Sequence, residues 1–234
     1  MSAVLVAACS IVGLVVGWFL DPVITRVPRK QPVFGPPPVD ESTSSPPSSS
    51  ARRLFVTVLT GALFGATAAR FDHSWMLPAY LVLTAALVAL AVIDLETYLL
   101  PNRIVYPLTV AMLALLLLGT AADGDLDAYL RGLYAGAIAF AVFFVLHLVS
   151  PRSMGFGDVK LSFTLGLSLG VLGWGHMVLG LFLGFLYGAV IGLVLIATKV
   201  RGKSQAVPFG PFLAAGAMTA VLVGVPILDW YRGS

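Results

Sequence analysis

Residues 75–94 read WMLPAYLVLTAALVALAVID, an uncharged run that ends at an aspartate. A bilayer core is about 30 Å thick, and a helix of roughly 20 apolar residues spans it. Further runs of this kind, some of them short, cover residues 2–20, 54–70, 104–122, 132–149, 160–175, 177–198 and 212–228. The pattern predicts an all-α, polytopic helical membrane protein with about eight transmembrane helices.

The composition agrees with this fold class. Of the 234 residues, 59% are hydrophobic and 11% are charged, whereas a soluble domain carries about a quarter charged residues. The net charge is +3, but the basic residues form no cluster with interleaved aromatic side chains of the kind that binds nucleic acid. We therefore expect the lipid bilayer, and no nucleic acid, as a partner.

The distribution of basic residues predicts the orientation. With the N-terminus outside, the connections at 21–53, 94–103, 150–160 and 199–211 face the cytoplasm. They hold 11 of the 14 Lys and Arg residues, as the positive-inside rule requires. We expect a multi-pass protein of the cytoplasmic (inner) membrane, with its N-terminus outside.

The first of these connections has a composition of its own. Residues 31–51 contain six prolines and six serines. Such a segment cannot bury enough apolar surface to offset the entropy lost on ordering, so a disordered linker is expected. The chain then divides into a first helix with its cytoplasmic exit (1–30), this linker (31–51) and a seven-helix membrane domain (52–234).

Glycine recurs every four residues in two of the apolar runs. One stripe comprises Gly180, Gly184, Gly188 and Gly192, and a shorter one comprises Gly166 and Gly170. Small residues at this spacing let helices approach closely in lipid. Close helix packing is therefore expected here, rather than a substrate groove.

Asp94 closes the apolar run at residues 75–93. Ionisable groups at membrane depth are costly and usually mark function. Pro101 discourages helix in the residue before it, and Asn102 suits the N-cap of the next helix. Asp94 is therefore expected at the cytoplasmic end of the third span, where the chain turns back. Considered alone, it is more simply a loop acid beside the headgroups.

Asp158 follows a glycine-rich turn, GFGD at residues 155–158. Gly155 and Gly157 permit positive φ and a close approach of the backbone. Asp158 then falls at the start of the sixth span, where free backbone N–H groups and the helix dipole favour an acid. Considered alone, it is more simply an N-cap residue.

Considered together, the two aspartates predict chemistry. Both belong to cytoplasmic ends of spans, so folding can bring them face to face. Two adjacent carboxylates do not both ionise readily, and they share one proton. Such a pair can deprotonate a water with one member and protonate the leaving amine with the other. That is aspartyl protease chemistry, and it makes 52–234 the catalytic domain.

This chemistry requires no metal ion or other cofactor, and we expect none. The single cysteine, Cys9, allows no CxxC metal knuckle. The three histidines, His73, His147 and His176, are scattered. Only His147 falls near the cytoplasmic side, where it either adjoins the aspartates or packs between helices.

Four ordered segments resemble one family, the type IV prepilin peptidases. GFGDVK at 155–160 is similar to the GxGD motif of that family, and Asp94 to its first catalytic aspartate. GLVVGWFL at 13–20, continuing to VITRVP at 23–28, resembles the family's first helix and its exit. AVPFGPFLA at 206–214 is similar to the family's approach to the last span.

The resemblance implies removal of a short basic leader from type IV prepilins or pseudopilins at the cytoplasmic membrane face. Type IV pilus assembly or type II secretion follows, with their assembly proteins as partners. In these roles Asp94 and Asp158 share the proton and activate water, while Gly155 and Gly157 let backbone and substrate approach. Lys160 holds a carboxylate or tunes its pKa, or else extends to the headgroups.

The segment Pro208, Phe209, Gly210 and Pro211 has two interpretations under the same resemblance. It binds substrate, or it is a rigid helix start. The chain also departs from the family in one place. Many members carry paired CxxC motifs after the first helix and also methylate the new pilin N-terminus, whereas here the Pro/Ser linker stands in that position. We therefore predict a peptidase without methyltransferase activity.

Two other functions use paired membrane aspartates. Presenilin-like proteases cut within the bilayer, but their first aspartate is expected well inside a span and a Pro-Ala-Leu segment near the end. A cation or proton transporter is expected to carry polar groups near the membrane midplane and broken helices. Here the acids stand at one surface and the spans are nearly pure apolar between their ends.

Overall fold

The computed structural model describes residues 2–28, 50–151, 154–198 and 208–232. Within these ranges the chain forms eight α-helices and no strand. They are α1 (Ala3–Arg26), α2 (Ser50–Phe71), α3 (Leu77–Thr97), α4 (Asn102–Ala122), α5 (Leu126–Val149), α6 (Phe156–Leu172), α7 (Trp174–Ala197) and α8 (Gly210–Arg232). The all-α class is confirmed. The predicted linker lies outside the described residues, except for its last two positions, 50 and 51, which open α2.

Seven of the helices in the described part are long and apolar enough to cross a membrane: α1 to α5, α7 and α8. The chain is therefore a multi-pass helical membrane protein. The predicted sixth span is a helix too, but α6 has only 17 residues. At 1.5 Å per residue it is about 25 Å long, shorter than a bilayer core of about 30 Å.

The short helix α6 is the most enclosed element of the fold. Twelve of its 17 residues are buried, and it contacts α4, α5, α7 and α8. Because its neighbours rather than lipid surround it, α6 is not required to match the bilayer thickness. Its C-terminus reverses at once into α7 through Gly173, which takes φ 140°.

The helices extend beyond the apolar runs that predicted them. α1 continues to Arg26 instead of stopping at residue 20, and α5 begins at Leu126 instead of residue 132. The start of α5 is capped by Asp125, whose carboxylate accepts a hydrogen bond from the Ala128 N–H at 3.0 Å. Hydropathy marks only the lipid-facing stretch, whereas the helical hydrogen bonds continue into the polar ends.

Glycine stripes pack the helices closely, as predicted. A Cβ atom on Gly166 would lie 2.7 Å from the carbonyl oxygen of Ala135 in α5. A Cβ atom on Gly180 would lie 2.6 Å from Leu169 in α6. The stripe in α7 is not uniform, because no atom of the described residues lies within 4 Å of a Cβ placed on Gly192. The packing prediction therefore fails at this one position.

The end of α3 lies beside the starts of α6 and α8. Tyr98 ends α3 in the left-handed conformation (φ 56°), and its N–H donates to the carbonyl oxygen of Asp94 at 2.9 Å. The chain then runs through Leu100 to Pro101, where α4 begins. This corner of the bundle carries both aspartates singled out by the sequence.

Candidate active site

Asp94 occupies the last turn of α3 and is 5% exposed. Its Oδ2 accepts a hydrogen bond from the backbone N–H of Gly210, the first residue of α8, at 3.0 Å. A Cβ atom at position 210 would lie 2.7 Å from that oxygen and 3.3 Å from the carboxyl carbon. Only glycine therefore lets the start of α8 approach Asp94 this closely.

Asp158 occupies the first turn of α6 and is 6% exposed. It is not the N-cap that the sequence suggested, because Gly155 takes that position. The N–H of Asp158 donates to the Gly155 carbonyl oxygen at 3.1 Å. The Oδ1 of Asp158 is buried and has no hydrogen-bond partner among the described residues. This oxygen is therefore available to a proton, a water or a substrate.

The two carboxyl groups belong to helix ends that meet at one leucine. Leu100, in the turn after α3, lies between the two helix starts. A Cβ on Gly157 would lie 2.7 Å from Leu100 Cβ, and a Cβ on Gly210 would lie 3.3 Å from Leu100 Cδ2. The folding of α3, α6 and α8 against one leucine thus brings together acids that stand 64 residues apart in the chain.

The glycines of the GFGD turn matter for their lack of a side chain and not for positive φ. Sequence reasoning allowed them positive φ, but in the described part of the chain only Gly124 and Gly173 adopt it among glycines. Gly155 has φ −68°, and a Cβ there would make an ordinary 3.4 Å contact with Asp158 Oδ2. Gly157 is the one that requires the missing side chain, because of Leu100.

Lys160 contacts neither of the aspartates. Its Nζ donates to Asn102 Oδ1 at 2.9 Å and lies 5.0 Å and 4.9 Å from the ring centres of Tyr106 and Phe156. No ion pair joins Lys160 to an acid within the ranges that the structure describes. The lysine therefore ties the start of α6 to the start of α4. Asn102 is the first residue of α4 and not its predicted N-cap, which is Pro101.

The segment Pro208–Pro211 forms the start of α8. The Phe209 carbonyl oxygen accepts two N–H groups of the first turn at 3.1 Å each, and its ring lies 5.0 Å from the ring of Phe185 in α7. Next in the chain, Gly210 contacts Asp94. The interpretation as a helix start is confirmed, and binding of substrate stays a prediction.

An ion-pair network next to Asp94 was not foreseen. Arg52, near the start of α2, donates to both carboxylate oxygens of Glu96 at 2.9 and 3.1 Å and to Asp21 Oδ1 at 2.8 Å. It therefore joins the ends of α1, α2 and α3 two residues beyond Asp94. Asp21 is a buried acid just beyond an apolar run, the same signal that had singled out Asp94.

His147 lies at the end of α5 beside the GFGD turn. Its Nδ1 forms a hydrogen bond with the Met154 carbonyl oxygen at 2.9 Å, and its ring lies 5.5 Å from that of Phe156. His147 thus supports the turn that leads to Asp158. Within the described ranges, no three His, Cys, Asp or Glu residues come together as a metal site.

The sequence model of the type IV leader peptidase family matches residues 81–195, which include both aspartates. Among curated proteins, the chain is 36% identical over 182 residues to the prepilin leader peptidase/N-methyltransferase of Aeromonas hydrophila. That match covers 77% of this chain and 61% of the relative. The protein of the same name from Bacillus subtilis is 32% identical over 174 residues, or 74% of this chain and 67% of the relative.

A third relative, the prepilin leader peptidase/N-methyltransferase of Pseudomonas aeruginosa, is 33% identical over 177 residues. The match covers 75% of this chain and 60% of that protein. The chain thus spans about three fifths of the length of the Aeromonas and Pseudomonas relatives. No solved structure matches it significantly.

Proposed function

Because the chain belongs to the type IV leader peptidase family, we propose that it is a membrane aspartyl endopeptidase. Its substrates are type IV prepilins or pseudopilins, from which it removes the basic leader. The observation that carries the proposal is the pair of buried carboxyl groups, Asp94 and Asp158, at helix ends that pack against the same leucine, Leu100.

The roles of the two acids follow from their different hydrogen bonding. The N–H of Gly210 stabilises the charged form of Asp94, so Asp94 takes a proton from the attacking water. Asp158, whose Oδ1 lacks such a donor among the described residues, carries the shared proton and gives it to the carbonyl oxygen. Collapse of the tetrahedral intermediate breaks the C–N bond as the amide nitrogen takes the proton held by Asp94 and a hydroxyl of the intermediate returns a proton to Asp158, which restores the pair. The products are a new carboxyl group on the leader and a new amino terminus.

The proposal includes the setting of the reaction. The 11 basic residues in the connections on the side of the acids support a cytoplasmic active site, an N-terminus outside and the cytoplasmic membrane as location. Residues 52–234 form the catalytic domain, α1 the first helix and 31–51 a tether. Proteins that assemble pili or the type II secretion apparatus are the expected partners downstream.

Methylation is not part of the proposed activity. The single cysteine of the chain, Cys9, excludes paired CxxC motifs.

Cleavage within the bilayer and cation transport are the two alternative functions for the same acids. Asp94 lies in the last turn of α3 and Asp158 in the first turn of α6, which favours a reaction at the membrane surface over both rivals.

The test is leader removal by the purified full chain in liposomes, with a prepilin as substrate and mass spectrometry of the products. We expect Asp94→Asn and Asp158→Asn each to abolish cleavage. Asp123→Asn changes an exposed aspartate at the opposite end of the bundle and serves as the matched control. Cleavage by either variant at the wild-type rate would disprove the assignment of the pair. Cuts inside the apolar segment would instead favour the presenilin-like reaction.

A further inference from the structure

An apolar groove of about 530 Å³ lies between α2, α3 and α8. Helix α8 packs along α3 but meets α2 at few points, so the space between α2 and α8 stays open on its outer side. Of the fifteen residues that line the groove, Thr219 is the only polar one. The bilayer, and not water, is therefore the environment that this groove faces.

One end of the groove is lined by residues that directly follow those of the candidate active site. Leu95, at its inner end, follows Asp94 directly in α3, and Pro211 follows Gly210, the donor to the Asp94 carboxylate. From Pro211 the lining continues along α8 to Val223. Those 12 steps of helix amount to about 18 Å, so the groove leads from the acids toward the membrane interior.

The walls of the groove have the spacing of a helix-packing surface. Its lining residues in each of the three helices recur three or four positions apart, for example Phe55, Leu59 and Leu63 in α2. Rows at this spacing are those into which the ridges of another helix fit. Ala91 in α3 and Ala215 in α8 have small side chains on two walls of the groove, which lets another helix backbone approach closely in lipid.

We propose that this groove binds the apolar helical segment of the peptide substrate, the part that continues from the cleaved bond into the bilayer. The inference rests on the proposed function, because leader removal on the cytoplasmic side leaves the C-terminal part of the substrate to enter the membrane. That part must be helical, since lipid cannot satisfy the hydrogen bonds of an extended backbone. The groove thus selects an apolar helix by shape, and the acids cut at its cytoplasmic end.

Disulfide crosslinking of the full-length protein in liposomes tests the proposal. Cys9→Ala removes the single native thiol, and Asp158→Asn keeps the substrate uncleaved. Ala215→Cys then places a thiol in the groove, and Ala141→Cys places one on an exposed position of α5, which contacts none of the three groove helices. The prepilin carries one cysteine, moved residue by residue along its apolar segment, and copper phenanthroline is the oxidant.

We expect the crosslinking yield at Ala215→Cys to peak every three or four substrate positions, with low, featureless yields at Ala141→Cys. Equal yields at the two sites, or no periodicity, would overturn the proposal and leave the groove to lipid. In the active enzyme, Ala215→Trp should lower kcat/KM about tenfold or more, mainly by raising KM. A tenfold change corresponds to about 1.4 kcal/mol. Ala141→Trp should leave kcat/KM near the wild-type value, and an equal effect of both substitutions would also overturn the proposal.

Failure of this inference is distinct from failure of the proposed function. If the aspartate variants lose cleavage while Ala215→Cys fails to crosslink, only the groove assignment falls. If the wild-type protein leaves prepilins intact, the peptidase assignment falls whatever the crosslinking shows.

Discussion

Gly210→Ala tests how the structure holds the base of the proposed reaction. The added Cβ would lie 2.7 Å from Asp94 Oδ2, against ordinary contacts of 3.4 Å and more. The carboxylate must therefore retreat by roughly 0.7 Å, and a misplacement of about 1 Å can cost on the order of 100-fold in rate. Because that shift lengthens the 3.0 Å hydrogen bond from residue 210, the reaction loses a charged hydrogen bond worth about 1.5–3 kcal/mol.

The expected result is a fall in kcat of roughly tenfold to 150-fold, the equivalent of that energy range, with KM nearly unchanged. The melting temperature should stay near the wild-type value. Gly210 starts a helix and is not among the glycines with positive φ, and alanine suits a helix. The assay is prepilin cleavage in liposomes together with a thermal melt in detergent. Gly192→Ala is the matched control, since its Cβ would meet no atom within 4 Å in the part of the chain that the structure describes. A wild-type kcat for Gly210→Ala would refute the reasoning.

Three other predictions concern the surroundings of the site. Arg52→Gln leaves the buried carboxylate of Asp21 without its 2.8 Å partner. The melting temperature should therefore fall more than with Glu96→Gln, because Glu96 is the more exposed of the two acids. Equal falls in melting temperature would contradict this prediction. Lys160→Met should lower cleavage by loosening the start of α4, and Lys160→Arg should restore it. The pH dependence of the cleavage rate should not move, because Lys160 contacts Asn102 and no carboxylate. A shifted pH dependence would argue that Lys160 tunes the acids directly. Mass spectrometry of the mature pilin should find an unmethylated N-terminus, and a methylated one from the purified chain would contradict the predicted lack of methylation.

Hydropathy and motif spacing predicted the all-α membrane fold and the two aspartates at helix ends, because both depend on local sequence. Helix ends were the weaker part. Asp125 caps α5 seven residues ahead of the predicted run, and Asp21 lies inside α1 rather than after it. Polar residues at the membrane surface can continue a helix or end it, and their hydropathy does not distinguish the two outcomes.

The contacts that build the site could not be predicted from spacing. The bond from Gly210 to Asp94 joins residues 116 positions apart, and its existence depends on how α8 packs against α3. Lys160 was assigned to a carboxylate or the headgroups, because its partner Asn102 lies 58 residues away on another helix. Sequence reasoning identified which side chains carry charge but not which of them would meet.

The tight reversal at Gly173 gives α6 and α7 a common level at one end. Since α6 has 17 residues and α7 has 24, α7 reaches about 10 Å farther toward the other face. Asp158 lies in the first turn of α6, short of the far end of α7, and we expect a step in the hydrophobic thickness of the protein there. A thicker bilayer would bury that step, whereas a thin one would open it to water. We therefore expect lipid chain length to change the rate of the proposed hydrolysis without any change in the protein, because hydrophobic mismatch acts where water must reach the carboxyl group.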